Sequence, residues 1–155
     1  MLKVSVIILT IMLAYAGVYT LMAIFVPKVV AGSAFKAATG ETLDSIQDAK
    51  HLGFLLRSQR MIGQYALASV IASFFILLGG FQKGRKWAWW SFVIGGAVCW
   101  LWGVINALVI VDKVNLPLQS VGAVLWLLGV ILPVKVFFAE ATKISGSEGD
   151  TQESS

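Results

Sequence analysis

Charge is scarce in this chain, and the long apolar stretches have almost none. Of 155 residues, 13% are Asp, Glu, Lys or Arg and 58% are apolar, whereas soluble domains carry roughly a quarter charged and under half apolar residues. Part of the solvent must therefore be lipid. There is one cysteine, Cys99, and one histidine, His51. That excludes an internal disulfide, a thiolate metal cage and a multi-histidine metal or haem site. Cys99 lies in an apolar run and reads as small-residue packing. No P-loop, GxGxxG, HExxH, GxSxG or CxxC pattern occurs, so the common nucleotide-binding and catalytic motifs are missing. The formal net charge of +4 comes without a basic face interleaved with aromatics, which argues against nucleic acid as a partner. A modest positive surplus suits contact with anionic lipid.

What is present is apolar length. Crossing a hydrocarbon core takes about 20 apolar residues in a helix, and hydrocarbon satisfies no open backbone group. Residues 4–26, 61–81, 87–111 and 118–138 meet that length; none contains Asp or Glu, and Lys135 is the one cation in them. The expected fold is all-α: an integral membrane four-helix antiparallel bundle over residues 1–143, with both termini on one side. The first stretch is too long for the roughly 7–15-residue core of a secretory signal and is taken as a crossing.

The segment from Lys28 to Arg60 is the sizeable polar insertion. Its second half, "LDSIQDAKHLGFLLRSQR", spaces Leu43, Ile46, Ala49 and Leu52 at three-residue steps and sets Asp44 and Gln47 as a capping box. This predicts one interfacial amphipathic helix over residues 42–57, bent at Gly53 and running into the second crossing. The end, "ISGSEGDTQESS", is Ser, Gly and acid with little that is apolar, so residues 144–155 are expected to be a disordered polar tail.

Orientation rests on cations. Lys3, Lys83, Arg85, Lys86, Lys135 and Lys143 fall on the side of the termini; Lys28, Lys36, Lys50, Arg57, Arg60 and Lys113 fall on the other. The totals tie, but short loops weigh most in the positive-inside rule, and Lys83, Arg85 and Lys86 occupy the tightest turn. The reading is a prokaryotic cytoplasmic membrane with both termini cytoplasmic. In "QKGRKWAWWSF" those three cations sit among headgroups, and Trp87, Trp89 and Trp90 form a membrane-interface anchor, where an indole finds both wet and apolar neighbours.

The remaining polar residues gather towards the side away from the termini. At about 1.5 Å per residue, Tyr19, Arg57, Arg60, Gln64, Asn106, Asp112 and Gln119 all fall within roughly 10 Å of that rim. One reading makes them a ligand-binding polar pocket between the helices, roofed by the 42–57 helix, with Asp112 neutralising Arg60. The other has the arginines reaching to phosphates, Asp112 and Asn115 capping a turn, and Asn106 and Gln64 joining helices. Asp44, Asp48 and His51 share a helix face and nominally suit a cation, though a solvated surface is the plainer account. Nearer the middle, Cys99, Trp100, Trp102 and Trp126 accompany Gly95, Gly96, Gly103 and Gly129. They make either tight packing, helped by small pairs such as Ala68 with Ala72 and Gly103 with Ala107, or a tryptophan-walled cavity. Pro133 is expected to bend the fourth crossing, with Lys135 stretching its amine back to the termini side.

The order of features resembles the DoxX-like small four-helix membrane proteins: "YAGVYTLMAIFVP" ending at Pro27, "RSQRMIGQYALAS" with Arg60 and Gly63 opening the second crossing, then a basic turn before the third. The likeness spans most of residues 4–135 and is architectural. It implies membership of a group linked in part to quinone-coupled oxidation of sulfur compounds, and it carries no catalytic residue across. Microsomal glutathione transferase-like proteins share the arginines, but Gly63, Gln64 and Leu67 stand where Asn and Glu are expected. Two functions follow. The first is a noncatalytic accessory or assembly subunit, acting through helix packing with a protein partner or as a homo-oligomer and needing no cofactor. The second is a DoxX-like redox or lipid-modifying protein that binds a quinone or lipid near Arg60 and Asp112.

Overall fold

The computed structural model describes residues 1–138; the acidic tail lies outside the described residues. Every regular element there is helical. In order they are α1 (Leu2–Phe25), α2 (Pro27–Thr39), a 3-10 turn (Leu43–Ser45), α3 (Ala49–Gly79), a second 3-10 turn (Phe81–Lys83) and α4 (Lys86–Gly96). A π segment (Ala97–Leu101), α5 (Trp102–Val109), α6 (Asn115–Ile131) and α7 (Val134–Phe138) follow. With their continuations these make four rods long and apolar enough to cross a membrane: Leu2–Phe25, Ala49–Lys83, Lys86–Val109 and Asn115–Phe138.

Local chemistry explains where the rods break. Pro27 disfavours helical geometry at the residue before it, so Val26 leaves the helical region at φ −126°, ψ 55° and its N–H closes α1 on the Met22 carbonyl. The same proline then opens α2 at its first helical position, where a missing N–H costs nothing. Gly40 ends α2 at φ +77° and Gly84 turns the chain at φ +67°, conformations that favour glycine. Pro133 removes a backbone donor, and the fourth rod breaks there into α6 and α7.

The polar insertion departs from expectation. Residues 27–39 form a helix of their own, while the expected 42–57 helix forms only from Ala49 onward, where it runs into the second crossing; a 3-10 turn and extended backbone precede Asp48. The cap is Asp48, whose carboxylate accepts the Lys50 N–H at 2.8 Å, and not Asp44. From there α3 continues through Gly53 without a break. An Asp side chain bonded two residues on fixes a helix start more firmly than apolar spacing does.

The core lies towards the end holding the 81–86 turn. Leu9, Leu77, Phe81, Phe92, Trp126 and Phe137 are all buried there, with Phe81 set 5.3 Å from Phe92 and 5.0 Å from Phe137, ring to ring. Glycines bring the third rod against α6. The Trp126 indole fills the space where Gly96 lacks a Cβ, Trp100 lies over Gly122, and the Gln119 amide rests on Gly103. As numbers rise on one rod they fall on the other, in a constant register. Indole donors fasten the same face: Trp126 Nε1 to the Phe92 carbonyl at 2.8 Å and Trp89 Nε1 to the Val130 carbonyl at 2.9 Å. Gly129 receives Leu9 from α1, whereas Gly95 has no neighbour within contact distance. Ala68 and Ala72, expected at a helix contact, are exposed, as is Trp102, while Ala107 is buried.

Candidate ligand cleft

Beside this core the bundle is split. α3 lies along α1 and meets α4, but it scarcely approaches the π segment or α5. The two rods therefore diverge from their shared turn, and a cavity of about 260 Å³ fills the gap. Tyr15, Ala16 and Tyr19 of α1 form its floor. Ser69, Val70 and Ser73 of α3 make one wall and Gly95, Cys99 and Trp100 the other, and Gln119 of α6 closes the far end.

The lining is apolar with scattered hydroxyls, and among the described residues no charged side chain borders it. Most of the hydroxyls spend their protons locally. Ser69 donates to the Tyr65 carbonyl and Ser91 to that of Trp87, the usual back-bond of Ser in an apolar helix. Tyr15 donates to the Leu118 carbonyl at 3.0 Å, and Tyr19 to Asn115 Oδ1 at 3.2 Å. The hydroxyls keep lone pairs for a guest. Ser73 and the Gln119 amide make no side-chain hydrogen bond among the described residues. Cys99 is a free thiol exposed in the π segment; such segments often accompany functional sites.

The polar pocket expected at the rim is rearranged. Of its seven candidates, Tyr19 and Gln119 border the cleft. Arg57, Arg60 and Gln64 are exposed on α3. Asn106 is exposed too, its Nδ2 donating to the Trp102 carbonyl at 3.0 Å. Asp112, only 1% exposed, does not pair with Arg60: among the described residues the one close contact between a carboxylate and a basic side chain is that of Asp48 with His51, 2.7 Å apart on the surface. The carboxylate instead accepts the Val114 and Asn115 backbone N–H groups at 3.1 and 3.0 Å, and Asn115 Nδ2 at 2.6 Å. Asn115 Nδ2 also donates to Ser33 Oγ of α2, so with Tyr19 this cluster ties α1 and α2 to the start of α6. Burial alone would raise the Asp112 carboxyl; the hydrogen bonds from Asn115 and Val114 outweigh it and hold the group below the ordinary carboxylate range. They also steady Val111, which sits at φ +53°, a costly geometry for a β-branched residue.

The tryptophan cluster also divides. Trp87 and Trp90 are exposed beside Lys83, Arg85 and Lys86, but Trp89 turns inward onto Val130 and Phe138, and the Lys86 amine sits 5.8 Å over the Phe138 ring. The residues that make the cleft, Tyr15, Ser69, Ser73 and Ser91, do not stand out in the sequence, because each is neutral and ordinary in an apolar helix. A signal was there: Tyr15 with Tyr19 and Ser69 with Ser73 are spaced four apart, which puts each pair on one helical face.

Comparison of the chain with protein-family models, curated proteins and solved structures gives no match.

Proposed function

We propose that this is an integral membrane protein that binds a lipid-soluble molecule in the cleft between α3 and the third rod. The observation that carries the reading is the cleft itself: a sizeable void with apolar walls, a few hydrogen-bonding groups and, among the described residues, no charge, on the side where the rods part. Such a lining is typical of small-molecule sites, and a bilayer around the rods would deliver apolar molecules to the gap. Alternating crossings support the arrangement, because the Gly96–Trp126 and Gly122–Trp100 contacts and the Tyr15–Leu118 and Tyr19–Asn115 bonds run in opposite numerical order. Both termini then share a side, and Lys83, Arg85 and Lys86 in the short turn favour the cytoplasmic one. A quinone, the ligand implied by the DoxX-like resemblance, and a neutral lipid both belong to the class this cleft suits. Binding is the role its residues support; Arg60 and Asp112 are not part of it.

Native mass spectrometry of the gently solubilised protein tests this. The wild type is expected to carry one noncovalent small molecule, and Cys99→Trp, which fills the cleft, to lose it. A stoichiometric protein partner with no small molecule would instead favour an accessory subunit.

A further inference from the structure

The polar groups of the cleft are not equivalent, and their inequality narrows the ligand. Tyr15, Tyr19, Ser69 and Ser91 have their protons committed to protein acceptors. Gln119 has not, and its position is built. At Gly103, across from it on α5, a Cβ would stand 2.6 Å from Gln119 Oε1 and 2.9 Å from its Cδ. The absence of a side chain at 103 is therefore what lets this amide lie across the α5–α6 contact at the end of the cleft. A primary amide offers two donors and an acceptor, and leaving them idle in an apolar site is costly. Gln119 is level with Gly103 and Gly80 with Ala88, so at about 1.5 Å per residue Ser91 lies roughly 18 Å and Ser73 roughly 12 Å closer to the 81–86 turn than Gln119 does. Between the two ends stand Val70, Gly95, Cys99 and Trp100.

Resting on the ligand-cleft reading above, we infer that Gln119 is the head-group residue for a neutral, elongated amphiphile. Its hydroxyl or carbonyl head hydrogen-bonds the Gln119 amide, and its apolar body extends along α3 and the π segment towards Ser73. Among the described residues no cation lines the cleft, which disfavours an ionised head such as a carboxylate or phosphate, whose burial unpaired is costly. Gly103 is the positioning residue, acting through the amide it accommodates.

Photolabelling in nanodiscs with three diazirine probes of equal chain length, hexadecanol, palmitic acid and hexadecane, tests the assignment. Hexadecanol is expected to label peptides of α3 and the π segment at least about tenfold more than ionised palmitate. Losing one hydrogen bond to the head, Gln119→Leu should reduce hexadecanol labelling roughly fivefold and leave hexadecane labelling unchanged. Gly103→Ala, which displaces the amide while keeping its chemistry, should give a similar loss. If hexadecanol labels the wild type and Gln119→Leu equally while Cys99→Trp abolishes labelling, the cleft stands and the head-group role of Gln119 is overturned. If Cys99→Trp leaves labelling unchanged, the cleft reading itself falls. Palmitate labelling equal to hexadecanol would overturn the neutrality of the ligand.

Discussion

The two ends of this molecule are built from the same kind of apolar helix, yet one is filled and the other is split. Near the 81–86 turn, Leu77, Phe81, Phe92 and Phe137 interlock with Leu9 and Trp126; further along, α3 and the third rod separate around a void of about 260 Å³. In a bilayer hydrophobicity would not separate them, since lipid is as apolar as leucine and drives no helix together. Shape does. At the closed end and along α6, rings and side chains drop onto glycines, so helices approach and dispersion contacts accumulate. On the cleft walls Gly95 meets nothing, and small serines stand where large side chains would have sealed the gap.

Substitutions can break or sharpen this contrast. The largest effect should come from Gly122→Ala or Gly96→Ala, where a methyl group collides with a rigid indole; a loss of about 3 kcal/mol is expected, read as a fall in the thermal unfolding midpoint in detergent. Leu77→Ala, in a fully buried site, should cost about 2 kcal/mol or more, whereas Val70→Ala beside the cleft should cost under about 1 kcal/mol; equal losses would erase the distinction between the ends. Trp126→Phe removes the donor to the Phe92 carbonyl and should cost about 1 kcal/mol beyond its packing. The Asp112 cluster gives a pH test. Its carboxyl is held below the ordinary range, so its contribution is complete above the unfolded-state value and is lost as pH falls through the lower, folded one. The wild-type unfolding midpoint should fall in acid through that window, and Asp112→Asn should flatten the slope. Smallest of all, Gly95→Ala should leave stability within about 1 kcal/mol or raise it slightly, because alanine is the better helix former and the site is open.

Much of the architecture was legible as length. Four apolar stretches without acids became four rods, and the break at Pro133 and the start of the third rod after its cationic turn stand where expected. The polar insertion is less legible for a definite reason. Pro27 serves both as a stop and as a first helical residue; Asp44 and Asp48 both resemble caps, and local hydrogen bonding selects the second. The site was harder. Charges near an apolar crossing point to a polar pocket because their burial is expensive, yet Arg57 and Arg60 lie exposed and Asp112 satisfies itself within its own turn. The cleft depends on where two rods diverge, a tertiary property. Of the expected set, Tyr19 and Gln119 reach it.

The central claim is that the gap between α3 and the π segment is a binding site and not loose packing. A crystal structure of the full chain grown in a lipidic mesophase tests it most directly. One elongated density is expected to run from Gln119 past Cys99 and Trp100 towards Ser73, with the rods held apart around it. Direct contact between α3 and the π segment, with Ser69 against Gly95 and no space between them, would contradict it.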